Sequence, residues 1–201
     1  MAVAAAAALM LVCGFTPDPA QAPGADIIVT SAPVYDPVAA LRGEERFPQG
    51  AQLLLLHAGK SEPLLTGFAA TADANVSFDA KTVLFAGKQA ASDPWQIWEL
   101  ALVDHSVRRV SASTSDAIRP FYLPFGRLVY AQRTPQGFQL EVAGKSAATA
   151  LAPIDADAGS TVLQISYLPA SAIPEDVLLD GRILFEANFP LGLGSTPDRC
   201  V

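Results

Sequence analysis

The segment Gln52-Leu-Leu-Leu-Leu-His57 returns twice further along the chain, and this repetition decides the fold. Related runs begin at Gln96, which reads Gln-Ile-Trp-Glu-Leu, and at Gln139, which reads Gln-Leu-Glu-Val. The three runs are spaced by about 44 residues, a period typical of propeller blades. Helical repeats need longer stretches with a 3.6-residue period, so short apolar runs at this spacing predict an all-β propeller.

A second run, Lys81-Thr-Val-Leu-Phe-Ala86, also recurs twice, as Arg127–Ala131 and as Arg182–Ala187. Its repetition supports the same period and marks a second strand in each repeat. Three aromatic residues fall in register within these runs, and we expect them to pack between blades: Phe85, Tyr130 and Phe185.

The strand-like runs predict a partial β-propeller of about three four-stranded blades over residues 51–190. The predicted blades are residues 51–88, 95–133 and 137–188. Residues 23–50 are rich in Pro, Ala and Gly and are predicted to form a flexible lead-in arm that adds at most one strand. Residues 191–201 lack periodicity and are predicted to be an irregular tail. Whether three blades form the whole unit or a fragment of a larger propeller stays open.

Composition narrows the range of partners. The 201 residues are 51% apolar, which is ample for a buried core in one domain. The formal net charge of −7 argues against nucleic acid as a partner, because phosphate binding needs a basic face.

Residues 1–22 combine an apolar run with the small-residue stretch Ala20-Gln-Ala22, a pattern that predicts a signal peptide. We therefore expect a bacterial protein that is periplasmic or secreted. No Lys or Arg precedes the apolar run, so a mis-assigned start codon or a buried helix stays open. The run is also shorter than the roughly 20 residues that a membrane span needs.

The two cysteines, Cys13 and Cys200, do not favour cofactor chemistry or a lipid anchor. Val12 stands where a lipoprotein motif has a small residue, so lipid anchoring through Cys13 is not favoured. No Cys-x-x-Cys-His sequence for haem attachment occurs, and removal of the signal peptide would leave Cys200 without an internal disulfide partner. We expect Cys200 to be a free thiol.

The sequence predicts no catalytic, cofactor-binding or metal-binding residue. It lacks a Gly-x-Ser-x-Gly elbow, and neither His57 nor His105 has a second ligand at zinc spacing. The segment Asp155–Ser160 resembles a calcium loop only in part, and a polar turn accounts for it better. Glu44 and Glu45 are interpreted as solvated charges.

Trp95 and Trp98 straddle one strand-like run. An offset of three residues places them on opposite faces of a strand. We expect one indole to pack between blades and the other to lie near a blade edge or the top surface.

Two segments carry a family resemblance: Val76–Lys88 and Tyr122–Tyr130. They resemble the Ser-Pro-Asp-Gly-Lys motif of WD40-like, TolB-type propeller repeats. A further segment, Asp93–Glu99, is similar to a recurring segment in the middle propeller domain of hydrazine synthase alpha subunit-like proteins. The resemblance spans residues 51–190 and implies a propeller. The haem-dependent activity of that family does not transfer, since the haem-attachment motif is missing.

Two hypotheses for function follow from these observations. The first is an exported, non-enzymatic binding or scaffold module that contacts proteins or other ligands. The second is the propeller portion of a larger haem-dependent redox enzyme resembling hydrazine synthase alpha subunit. Three blades leave apolar end faces uncovered, so the expected partners are a protein, further blades of a longer chain, or a second copy.

The strand pattern predicts that the purified protein is almost entirely β. Far-UV circular dichroism should therefore show a spectrum dominated by strand. A helical spectrum would contradict the fold class.

Overall fold

The computed structural model describes residues 26–111, 113–144, 161–188 and 199–200, and they form β-strands with two short 3₁₀ turns. The first sheet contains β1 (Ile27–Ser31), β2 (Gln52–His57) and β3 (Lys60–Pro63). The second contains β4 (Ala70–Val76), β5 (Thr82–Lys88), β6 (Gln96–Ala101) and β7 (Val107–Arg109). The third contains β8 (Ala117–Leu123), β9 (Arg127–Thr134), β10 (Gly137–Gly144) and β11 (Thr161–Gln164). The fourth contains β12 (Ala172–Val177), β13 (Ile183–Asn188) and β14 (Arg199–Cys200).

Every strand pairs antiparallel with its neighbour in the sequence, so each sheet is a meander. This is the architecture of propeller blades, and the predicted all-β propeller fold is confirmed. The predicted equivalences also hold. Gln52 and Gln96 are the first residues of β2 and β6, and Gln139 lies near the start of β10. These three strands are each next to the outermost strand of their sheet.

The predicted blade boundaries are wrong by two strands. Residues 51–88, for example, combine β2 and β3 of the first sheet with β4 and β5 of the second. A repeat fixes a period without marking where each unit begins, so hydrogen bonding decides the boundary. The chain leaves each of the first three sheets after its outermost strand, where Leu64, Val110 and Ile165 donate backbone N–H bonds of 2.8–2.9 Å to β2, β6 and β10.

The lead-in segment is packed, in contrast to the flexible arm that the sequence suggested. Its strand β1 pairs with β2 over five residues. Beyond it lies a 3₁₀ turn, Ala39–Arg42, in which Ala39 and Ala40 are buried. Phe47 is buried as well and stacks on Tyr35 with ring centroids 5.1 Å apart. Apolar residues scattered among Pro and Gly gave no periodic signal, yet they fill the core.

Part of the tail is also ordered. Arg199 and Cys200 form β14, which pairs with β13 in the segment predicted to be irregular. The predicted signal peptide, Cys13 and the segment Asp155–Ser160 lie outside the described residues.

Three hydrophobic clusters hold the sheets together, one at each junction between consecutive sheets. Phe85 belongs to the cluster between the first and second sheets, and Tyr130 to the cluster between the second and third. Phe185 packs against the cluster between the third and fourth. The three rings predicted to pack between blades therefore do so, each against the preceding sheet.

The four sheets form an open arc. Substantial contacts join the first sheet to the second, the second to the third and the third to the fourth. Within the described residues, no contact of comparable extent joins the first sheet to the fourth.

The hairpin turn at Asp180-Gly181 has the backbone conformation that the sequence indicated, in a longer loop. Leu178 N–H donates to Arg182 O at 2.8 Å, which closes a three-residue loop in place of the expected two-residue turn. Gly181 lies in the left-handed region with φ +83°. Ala80 occupies the corresponding turn between β4 and β5 with φ +55°, a conformation that costs a residue with a Cβ about 1 kcal/mol or more.

We predict that changes at these two turns shift stability in opposite directions. Gly181→Val should lower the free energy of unfolding by about 1–2 kcal/mol, because a β-branched side chain disfavours positive φ. Ala80→Gly should raise it by about 0.5–1 kcal/mol. Chemical denaturation measures both changes. Gly181→Asn is the control, since Asn tolerates this conformation, and equal losses for Val and Asn would contradict the assignment.

Candidate functional site

The first strand of the second, third and fourth sheets, here called the inner strand, carries a charged residue at a β-bulge. These inner strands are β4, β8 and β12. The register of β4 with β5 shifts between Ala72 and Asn75, and the register of β8 with β9 shifts at the equivalent position of the third sheet. Asp73 and Arg119 lie at these bulges with φ of +56° and +51°. Glu175 lies at the shift in β12. Bulges redirect side chains, and left-handed backbone at residues other than glycine is concentrated at functional sites.

These charges form a continuous chain across the arc. The guanidinium of Arg46, in the lead-in segment, forms an ion pair with Asp73. The backbone N–H of Arg119 donates to Asp73 Oδ2 at 3.2 Å. The Arg119 guanidinium in turn pairs with Glu175. Only 5% of the Arg46 side chain is exposed. Burial opposes the charge of Arg119, but the bond to Glu175 and the nearby Asp73 outweigh it, so its pKa is raised.

Two buried glutamines form hydrogen bonds with the loops that follow β7 and β11. They lie at the end of the arc where β6 and β10 begin. Ser111 Oγ donates to Gln96 Oε1 at 2.9 Å, while Gln96 Nε2 donates to the Ser115 carbonyl. Ser166 Oγ donates to Gln139 Oε1 at 2.8 Å in the same arrangement. The sequence identified the glutamines but missed the serines, because the intervening segment is longer in the third sheet.

A cleft of about 250 Å³ lies at this same end of the arc. The lead-in segment forms one wall, and the second and third sheets form the other. It is lined by Ala40, Gly43, Glu44, Glu45, Arg46, Phe47, Lys88, Trp95, Asp116, Ile118, Arg133 and Phe138.

Cations in the cleft lie against aromatic rings and carboxylates. Lys88 Nζ is 5.3 Å from the centroid of the Trp95 ring, and the Arg133 guanidinium is 4.4 Å from that of Phe138. Arg133 Nε donates to Asp116 Oδ2 at 2.9 Å. The Arg133 guanidinium is thus oriented by a ring and an acid together.

Glu45 forms an ion pair and a hydrogen bond within the fold, whereas the sequence suggested a solvated charge. Its Oε1 accepts from Lys88 Nζ at 2.7 Å and from Trp95 Nε1 at 2.9 Å. Glu44 is exposed and pairs with Arg42. The long separation between Glu45 and Trp95 in the sequence concealed this contact.

Both tryptophans pack in clusters between sheets, whereas the sequence predicted this for only one of them. Trp98 packs in the cluster between the first and second sheets, with its ring edge-on to Phe68 at 5.1 Å. Trp95 lines the cleft and is buried in the neighbouring cluster.

The histidines are not brought together. His57 Nδ1 lies 2.5 Å from Asp26 Oδ1, and this carboxylate raises the His57 pKa. His105 lies in a turn with φ +57°. Over the described ranges, no three His, Cys, Asp or Glu side chains are grouped so that they could hold a metal ion. No helix in those ranges is long and apolar enough to span a membrane.

The chain matches no protein-family model and no curated protein sequence. It is similar in structure to hydrazine synthase from Kuenenia stuttgartiensis, with a TM-score of 0.66 and 17% identity over 81% of this chain. It is also similar to TolB from Acinetobacter baumannii, with a TM-score of 0.54 and 14% identity over 75% of this chain. A putative TolB from Agrobacterium tumefaciens gives 0.55 and 12% over 69%.

These similarities establish a TolB-like β-propeller fold. The aligned parts amount to 27%, 34% and 46% of the three solved chains, so this chain spans less than half the length of each.

We predict that the pair of Arg46 and Asp73 is coupled. Asp73→Asn should lower the free energy of unfolding by about 3 kcal/mol, because it leaves a buried guanidinium without its carboxylate. Arg46→Met combined with Asp73→Asn should recover most of that loss. Urea denaturation of the two single variants and the double variant measures the coupling, and additive effects would show that the pair is not coupled.

Proposed function

We propose that this chain is an exported, non-enzymatic β-propeller module for binding or scaffolding. We also propose that another blade-like sheet docks against the outer face of its first sheet, which is the face directed away from the second sheet. The observation that carries the proposal is the chemistry of that face. Its residues occupy the positions that, in the other sheets, pack against the preceding sheet.

The register establishes this equivalence. Ser31 pairs with Gln52 in the first sheet, as Gly87 pairs with Gln96 in the second. Strand β1 is therefore the counterpart of β5. By the same count, Ile27 and Val29 correspond to Val83 and Phe85, and Leu54 and Leu56 correspond to Trp98 and Leu100.

The residues of the first sheet and their counterparts in the second sheet differ in solvent exposure. Val83, Phe85 and Leu100 are fully buried against the first sheet. Ile27, in contrast, is 55% exposed, and Leu54 and Leu56 are partly exposed. Cross-strand pairing places these residues side by side, with Ile27 opposite Leu56 and Val29 opposite Leu54. A continuous apolar face of this kind marks an interface.

The inner edge of the first sheet supports the same proposal. In the second and third sheets, an inner strand pairs with β5 or β9. The described part of the first sheet begins with β1 and has no counterpart of β4. A docking blade would therefore meet an apolar face beside β1, the edge strand of the described part of the sheet, and an added strand could extend that edge.

Three further observations support the other parts of the proposal. The similar solved chains are more than twice as long as the aligned region, which agrees with additional blades beside these four sheets. The acidic net charge of −7 favours a protein partner over nucleic acid. Export rests on the signal-peptide pattern of residues 1–22.

A second candidate function is the propeller portion of a larger haem-dependent redox enzyme. The TM-score of 0.66 to hydrazine synthase over 81% of this chain favours it. Genomic DNA beyond the coding segment distinguishes the two candidates. Further in-frame blades followed by Cys-x-x-Cys-His would support the redox enzyme, and their absence would support the binding module.

We predict that the isolated chain self-associates or binds an apolar dye through the first sheet. Leu54→Lys with Leu56→Lys should convert it to a dye-silent monomer, because two charges interrupt the apolar face. Light scattering and dye fluorescence at micromolar concentration measure both effects.

The control for this experiment replaces exposed apolar residues elsewhere. Phe78 and Val103 are 78% and 86% exposed and lie in turns of the second sheet. Phe78→Lys with Val103→Lys adds the same charge and should leave association unchanged. A monodisperse, dye-silent wild-type monomer would contradict the docking face.

A further inference from the structure

The cleft beside Trp95 contains a pair of fixed donors that converge on one oxygen atom. Lys88 Nζ and Trp95 Nε1 both contact Glu45 Oε1, at 2.7 and 2.9 Å. Lys88 is the last residue of β5, and Trp95 immediately precedes β6, so both donors are held by the second sheet. The loop that carries Glu45 is a separate part of the chain.

The donors are recessed and the acceptor is not. The Lys88 side chain is 13% exposed and Trp95 is 5% exposed, whereas the Glu45 side chain is 39% exposed. Glu45 lies in the irregular segment between the 3₁₀ turn and β2. A recessed ammonium group and an indole N–H form a charge-assisted site for a carboxylate, and a solvent-facing side chain now occupies it.

We propose that Lys88 and Trp95 form a carboxylate-binding site, and that Glu45 is an internal stand-in for the carboxylate of a partner. The cleft of about 250 Å³ is smaller than typical sites for whole cofactors and accommodates a single acidic group of a peptide. That group is either an acidic side chain or a free C-terminus.

The charges of the cleft agree with this ligand class. Its lining contains three cations and three carboxylates, which balance. The other two cations are held by acids of their own, since Arg46 pairs with Asp73 and Arg133 with Asp116. Displacement of Glu45 therefore leaves one uncompensated positive charge, and it is located at Lys88.

With Glu45 in place, we expect an external carboxylate to bind weakly. A tethered group competes at an effective concentration on the order of millimolar or higher. A ligand must exceed that concentration or contribute contacts that Glu45 does not make. Removal of the Glu45 carboxylate should expose the site to a small ligand.

The test uses the full chain in a Trp98→Phe background, where Trp95 is the only tryptophan. Glu45→Ala is titrated with acetyl-Gly-Glu-amide, which has only a side-chain carboxylate, and with acetyl-Gly-Gly, which has only a terminal one. Neutral acetyl-Gly-Gln-amide is the ligand control. We expect saturable Trp95 fluorescence changes with at least one acidic peptide, at least tenfold tighter than in the chain that retains Glu45.

Two further variants make the result specific to the site. Glu62→Ala removes an exposed carboxylate in β3, outside the cleft, and should leave binding as weak as with Glu45 present. Lys88→Met combined with Glu45→Ala should abolish the gain. If Glu45→Ala fails to fold, Glu45→Gln replaces it, since the neutral amide retains an acceptor and competes less strongly than a carboxylate.

The comparison of the two acidic peptides identifies the source of the carboxylate. Binding of either one supports the site. The proposal is overturned if the folded Glu45 variant shows no saturable response, responds equally to the neutral peptide, or retains its response after Lys88→Met.

Discussion

The packing of each sheet against the one before it is the constraint on which the rest of the structure depends. A four-stranded meander has two faces, and one of them carries large apolar side chains from its second and third strands. Val83, Phe85 and Leu100 bury this face in the second sheet, and they are fully covered by the first. Consecutive sheets repeat the arrangement, so burial of apolar area both stabilises each sheet and orients it relative to its neighbour. The first sheet has the same face, and no sheet precedes it within the described residues.

Polar interactions near the inner strands complement this packing. Bulges at Asp73 and Arg119 place charged side chains where one sheet meets the next, and their ion pairs connect the sheets. The backbone conformation at these bulges is unfavourable for residues with a Cβ, so the surrounding pairs must maintain it. Buried glutamines fix the loops at one end of the arc. The cleft lined by Lys88 and Trp95 lies at that end.

The sequence predicted the period, the strands and the packing rings because these depend on local apolar patterns. Gln52, Gln96 and Gln139 were matched from spacing alone, and Phe85, Tyr130 and Phe185 were matched from their neighbours. It could not predict the sheet boundaries, since a repeat has no marked start. The contact of Glu45 with Lys88 and Trp95 joins residues far apart in the chain, as does that of Arg46 with Asp73. Such contacts depend on tertiary structure and leave no local pattern.

Hydrogen exchange at β1 tests most directly whether the first sheet is open. Strand β1 has the position of β5 and β9, but it lacks an inner strand within the described residues. At low protein concentration, amides of β1 should exchange much faster than the equivalent amides of β5 and β9. Equal protection of all three strands would mean that the first sheet is already covered, and would contradict an open docking face.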